Sequence, residues 1–221
     1  MLQRIKKKAK MSRNHMGSLD VLVRRDQAFD DSFALMRTAK PDDWKAPLRI
    51  TFQDEAGVDE GGLTKEWFTL LSKHMFNEDM ALFLKAATGS TYFPNPKSVV
   101  QADHLDLFAF IGKFVGKALM DQQLLDCYFV KAFYKLILDM ALDERDLEDY
   151  DPELYKSLTW ILQNEGAEHL CSYFVDTQDY FGDTKTTDLC EGGAERLVTD
   201  TNKEEYVRLV ANYRLKQAVD G

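Results

Sequence analysis

The stretch FQDEAGVDEGGLTKEWF, Phe52 to Phe68, decides how this chain is read. On its N-terminal side Leu48, Ile50 and Phe52 alternate with Arg49 and Thr51, the two-residue period of a half-buried strand. On its C-terminal side Trp67, Leu70, Leu71, His74 and Met75 recur at helical spacing. A helix is therefore expected to begin after Gly61 and Gly62, with Thr64 as N-cap and Glu66 in the first turn, and to end near Asn77. The loop between strand and helix is acidic and glycine-rich, but it lacks the GxxxxGK(S/T) order of a phosphate loop, and no GxGxxG follows a strand. An EF-hand would need oxygen ligands where Ala56 and Val58 stand. The expected role of the loop is scaffolding, with Glu55 or Asp59 bonded to nearby amides or to a core arginine.

Working outward toward the N-terminus, Val21 to Arg24 reads as a short strand, and Asp26 to Thr38 as a helix with Phe29, Phe33 and Met36 inward, stopped by Pro41. Residues 1–25 hold eight basic side chains against one acid, a local charge of +7 that leaves −16 on the remainder. The first dozen residues are expected to form a solvated helix start or a mobile arm.

Toward the C-terminus, Gly89 to Ser98 contains two prolines and must be a loop or an extended edge. Leu105 to Met120 is a helix whose polar Asp106, Lys113 and Lys117 share a narrow arc, so burial on most sides is expected; its two lysines keep it short of a membrane span. Gly112 and Gly116, one turn apart, would admit another helix closely. A further apolar helix is expected around Phe129 to Leu138. Eight acids and one arginine between Asp139 and Glu153 mark a change in composition and a candidate subdomain boundary.

Asp151-Pro152 then opens a helix, Asp as N-cap and Pro at N1, with Leu154, Tyr155, Leu158, Ile161 and Leu162 on one stripe and Gly166 as its stop. Leu170 to Val175 reads as a strand with the TTDL near residue 188 as its neighbour. EGGAERLVTD is a turn into a last helix, capped by Thr201 with Glu204 or by Thr199, with Tyr206, Leu209, Val210 and Tyr213 as the apolar stripe.

With 221 residues, 45% apolar and 29% charged, the chain can bury roughly 70–75% of its unfolded surface and needs no disulfide framework. A net charge of −9 argues against nucleic acid or an anionic membrane as the main ligand. No apolar segment of a secretory signal follows the basic start, so an intracellular protein is expected. Four dispersed histidines and three unclustered cysteines offer no metal-ligand spacing. None of Cys127, Cys171 or Cys190 sits beside a cation in sequence, so all three are expected to be structural; no catalytic residue, metal or cofactor is assigned.

The Phe52–Phe68 segment resembles the signature of the HECT family of ubiquitin-protein ligases, in which an acidic glycine loop leads into an S/T-K/R-E-W-F/Y helix. FDDSF at Phe29, FPNP at Phe93, FIGKFVGKALMDQQLLD from Phe110, DPELYKSLTWIL from Asp151 and NKEEYVRLVANYRL from Asn202 resemble successive HECT segments in order, covering nearly everything after residue 20. The resemblance implies an α+β, predominantly helical fold: a HECT N-lobe, with a basic arm or helix start at 1–20, a large helical subdomain at 21–141 and a small α/β subdomain at 142–221. The chain is expected to stop before the end of the N-lobe.

The family's N-lobe docks a ubiquitin-conjugating enzyme, and a C-lobe cysteine takes ubiquitin before passing it to a substrate lysine. None of the three cysteines here lies in the family's Thr-Cys-Phe type motif. Carried over position by position, the docking groove is expected at Leu154, Ser157, Leu158 and Ile161, Tyr173 from the strand, and Tyr206 and Val210 from the last helix, with Leu158 and Tyr206 as exposed walls. Cys171 and Asn164 adjoin a loop whose length differs among relatives and stay outside the set. The acids from Asp143 to Glu153 are expected to steer the partner by long-range attraction.

The implied partners are the conjugating enzyme, ubiquitin through it, the C-lobe of the parent ligase, and protein substrates reached by other regions. No nucleic acid or membrane is among them. The implied location is the cytoplasm, with the nucleus as a second compartment. The alternative is a non-catalytic helical interaction module on the same fold.

Overall fold

The computed structural model describes residues 17–55, 61–87, 89–180, 182–217 and 219. Asp59 of the acidic loop and residues 1–16 of the expected N-terminal arm lie outside them; at the end of that arm, Leu19 and Asp20 instead begin a strand, because they pair with Leu48 and Arg49. The fold is mixed α+β with helices predominant, and it divides into two compact units: Met1–Phe83 with Ser98–Cys127, and Leu84–Lys97 with Tyr128–Gly221.

In the first unit β1 (Leu19–Val23) and β2 (Leu48–Phe52) pair in parallel, Val21 opposite Ile50 and Val23 opposite Phe52. The crossover between them contains α1 (Ala28–Met36). Period-2 patterning puts Val21, Val23, Ile50 and Phe52 inside. Helix α2 (Gly62–Met75) packs against β2, and α3 (His104–Asp121) packs against α1 and α2, its Phe110 ring 5.9 Å from Phe29 and its Phe114 ring 5.4 Å from Trp67, all four of Trp67, Phe68, Phe110 and Phe114 being buried. The Trp67 Nε1–H donates to Ser32 Oγ at 2.8 Å, so the one polar atom of that indole is satisfied inside the core. Arg25 lies 4.2 Å from the centre of the Phe52 ring and binds Glu55 and Glu66, which gives the end of the acidic loop the scaffold role expected of Glu55, through an exposed arginine rather than a core one.

Three expectations in this unit are corrected. The N-cap of α2 is Gly61, held at φ +94°, and Thr64 lies within the helix; a left-handed cap needs a glycine, and two were available. Lys117 does not join a solvated arc of α3. It is 1% exposed, donates to the Ala46 carbonyl at 2.6 Å and pairs with Asp121 at 2.9 Å, whereas Leu105, Ala109 and Leu119 face solvent. Gly112 and Gly116 receive no close helix, since a β-carbon on either would meet no described atom within 4 Å.

The second unit begins at Leu84, within β3 (Phe83–Lys85), which pairs with β4 (Tyr92–Pro94), and a parallel bridge joins Tyr92 to Phe129. Then come α4 (Lys131–Ile137), α5 (Pro152–Gln163), an antiparallel hairpin of β5 (Val175–Tyr180) and β6 (Asp183–Asp188), and α6 (Lys203–Lys216). Their common core contains Phe93, Val130, Ala132, Leu147, Leu158, Val207, Val210, Ala211 and Leu215.

The acid-rich run is not uniformly solvated. Asp146 is buried and its Oδ2 accepts from Lys135 Nζ at 2.6 Å and from the Asp143 amide at 2.9 Å, while Asp143 caps the next turn; Glu148, Asp149 and Glu153 remain exposed.

The strand expected at Leu170–Val175 begins only at Val175, because residues 167–170 form a single 3-10 turn and Cys171 takes a left-handed conformation. The cap of α6 is Asn202, whose Oδ1 accepts the Thr199 amide; neither Thr199 nor Thr201 caps the helix, and their hydroxyls bond each other. Its buried stripe is Val207, Val210, Ala211 and Leu215, so Tyr206 and Tyr213 stand at the edge.

Candidate functional site

The sequence-expected residues of the second unit fall on three pieces of chain: α5, the segment after it, and the first half and middle of α6. Helix α5 forms where it does because Asp151 Oδ1 accepts the Leu154 amide at 3.0 Å and Pro152 presets the first turn. Along it Leu154 and Ile161 are half-buried and Ser157 is exposed, its hydroxyl donating to the Glu153 carbonyl at 2.9 Å.

Leu158 and Val210 are each only 2% exposed and belong to the common core. The expectation of Leu158 as an exposed groove wall is thereby corrected. Its side chain is on the innermost line of the α5 stripe, and removing so large an apolar surface from water is the most favourable use of that position.

Tyr173 stands 42% exposed on an isolated bridge to Leu197, not within a strand. Its neighbour Phe174 points inward and is fully buried with Ala167 and Val198, and Ile161, Leu209 and Tyr206 close over that cluster. Phe174 and Tyr206 meet edge to face at 5.4 Å. Gly193 is required behind them, because a β-carbon there would overlap the Phe174 carbonyl oxygen.

Arg196 lies over the Phe174 ring at 4.0 Å and forms two hydrogen bonds with Glu205, at 3.0 and 2.5 Å. Those bonds, and then the Cys190 sulfur, hold the guanidinium above its ordinary pKa, and the same pair holds Glu205 below its own. Burial pushes the Tyr206 hydroxyl up.

Ile161 and Tyr206 are thus partly exposed residues packed over buried Phe174, while Tyr173 and Ser157 are exposed on the segment after α5 and on α5 itself. Trp160, absent from the sequence-expected set, is 52% exposed on α5, one turn from Ser157 and Asn164. Its signal was present in the helical wheel, where it falls outside the apolar stripe.

Burial, then the Asp126 charge, push the Cys127 thiol up to about 11, opposite to what a nucleophile needs. Among the described residues no group of three His, Cys, Asp or Glu side chains is placed to hold a metal, and no helix is long and apolar enough to cross a membrane.

The family model of the HECT-domain (ubiquitin-transferase) matches residues 69–221, and the chain belongs to that family. It is 42% identical over 214 residues to the E3 ubiquitin-protein ligase TOM1-like of Neurospora crassa, covering 96% of this chain and 5% of that protein. Against the E3 ubiquitin-protein ligase TOM1 of Saccharomyces cerevisiae the identity is 43% over 215 residues, covering 96% and 6%. Against the E3 ubiquitin-protein ligase HUWE1 of Mus musculus it is 39% over 203 residues, covering 90% and 5%. The chain thus spans about one twentieth of the length of these relatives.

Proposed function

We propose that this chain is the docking part of a HECT-type ubiquitin ligase, an N-lobe fragment that receives a ubiquitin-conjugating enzyme so that ubiquitin can pass to a cysteine on a C-lobe outside it. In that transfer the C-lobe thiolate attacks the thioester carbonyl, the conjugating enzyme's sulfur leaves, and a substrate lysine later displaces the new thioester. The partner rests on Leu154, Ser157, Ile161, Tyr173 and Tyr206, all in the small subdomain at 142–221, with Leu158 and Val210 as the core beneath. In this reading the large subdomain takes in residues 21–141. The working location is the cytoplasm, with the nucleus as a second compartment.

The observation that supports this reading most is Tyr173, a large exposed aromatic side chain on backbone pinned by a bridge to Leu197, next in sequence to Phe174, over which half-buried Ile161 and Tyr206 pack. Tyrosine and tryptophan anchors of this kind dominate the energetics of protein interfaces, and they do so best on a preorganised base. Titrating a panel of ubiquitin-conjugating enzymes against the chain, by calorimetry or NMR, tests it. Binding by at least one enzyme that weakens on Tyr173→Ala supports docking at this face. A folded chain that binds none favours the non-catalytic interaction module.

A further inference from the structure

Residues 164–174, between α5 and β5, hold no α-helix or extended strand, yet they present Tyr173. The second half of this segment is fixed by backbone: the Val198 amide donates to Ser172 O at 2.8 Å and the Phe174 amide to Arg196 O at 3.1 Å, around the Tyr173–Leu197 bridge. The first half is held from outside by two side chains. Asp200 accepts the amides of Gly166 at 2.7 Å and Ala167 at 3.2 Å. Lys203 Nζ donates to the Asn164 carbonyl at 2.5 Å and to Asp200 at 3.1 Å.

The carboxylate therefore caps the turn at Ala167–Leu170, and the ammonium satisfies the carbonyl that ends α5. Gly166, at φ +86°, is the point where this segment would otherwise swing. Every one of these anchors comes from the strip Arg196–Lys203 that leads into α6. That strip therefore anchors both halves of the segment that carries Tyr173.

We propose that Asp200 and Lys203 are positioning residues of the docking surface: a latch that holds the segment from Asn164 to Tyr173 in the one arrangement a conjugating enzyme can grip. This rests on the reading of the face as the conjugating-enzyme site. Loss of the latch leaves the core intact but lowers the fraction of molecules whose Tyr173 is correctly placed, and apparent affinity falls with that fraction.

The test uses the full chain with Asp200→Ala, Tyr173→Ala and the double variant, titrated with the conjugating enzyme that the wild type binds most tightly in the panel. Asp200→Ala is expected to weaken binding about fivefold, the equivalent of one lost cap. Hydrogen exchange at the Gly166 and Ala167 amides accelerates, and the melting temperature moves by no more than about 4 °C. In the Tyr173→Ala background Asp200→Ala adds less than about twofold, because the latch acts through Tyr173. Unchanged binding by Asp200→Ala where Tyr173→Ala loses it, or fully additive losses, would overturn the latch alone. Failure of the wild type to bind any conjugating enzyme would overturn the latch together with the reading beneath it.

Discussion

Tyr206 stands edge-on to Phe174, with 5.4 Å between ring centres and 68° between planes, and the Phe174 ring is fully buried. An aromatic contact thus runs from the interior of the second unit to its proposed docking face. Such a pair contributes about 0.5–1.5 kcal/mol beyond the area it buries. Tyr206→Phe should keep the contact and leave stability within about 0.5 kcal/mol of the wild type. Tyr206→Ala should lower both stability and conjugating-enzyme affinity. Urea unfolding and calorimetry on the two variants check this, and equal behaviour of the two would show that the ring contact is idle.

Leu158 is a core residue, and its truncation should be felt as one. Leu158→Ala is expected to cost about 2–5 kcal/mol by lost burial and residual cavity. Leu158→Asp should cost more and unfold a substantial fraction of the chain, so loss of binding in that variant says nothing about a groove. Urea unfolding of Leu158→Ala is the measurement; a cost below about 0.5 kcal/mol would place the side chain on the surface.

The Lys135–Asp146 pair has its carboxylate fully buried and its lysine mostly, not wholly, buried. Removing the cation alone leaves a buried carboxylate, so Lys135→Met should destabilise by about 3–5 kcal/mol. The double change Lys135→Met with Asp146→Asn should recover part of that loss, because the amide oxygen can still accept the Asp143 amide. A double-mutant cycle in urea reads the difference.

The Cys127 thiol holds its proton more tightly in the folded chain, up to about 11 against an ordinary 9.0, through burial first and the Asp126 charge second. The stability that this supplies is whole below pH 9 and is lost as pH rises through about 11. Burial shifts Tyr150 and Tyr206 in the same direction from 10.0, so the alkaline limb should fall from about pH 9 upward. Unfolding curves from pH 8 to 11 should show it, with a shallower fall in Cys127→Ala. At pH 8 iodoacetamide should modify exposed Cys171 before Cys127.

Much of the fold was legible because local signals agreed with tertiary need. Asp151-Pro152 opened α5 where expected, and Leu48, Ile50 and Phe52 marked β2. The hairpin β5–β6 was harder, since VDTQDY and DTKTTD carry little apolar alternation and the more apolar LCSYF before them drew the strand too early. Lys117 was unreadable for another reason. Its long stem can cross a core if a carbonyl and a carboxylate wait at the end, and Ala46 is distant in sequence.

At the proposed site, Ile161, Tyr173 and Tyr206 followed from the family resemblance and not from a residue pattern. The sequence could not say which line of the α5 stripe is innermost. An apolar arc that includes Leu154, Leu158 and Ile161 is wide enough to pack in more than one rotation, and only contact with Val207, Val210 and Ala211 fixes Leu158 as the inward one. Trp160 was left out because an exposed tryptophan breaks the pattern that defines the stripe.

The most direct test of the central claim is an NMR titration of the isotope-labelled chain with ubiquitin-conjugating enzymes, following the amides of Ser157, Ile161, Tyr173 and Tyr206. Docking at this face predicts saturable shifts concentrated at those residues and the 164–174 segment, with little change at Leu71 or Phe110 in the first unit. Saturable shifts that leave those four amides still and cluster elsewhere would contradict it.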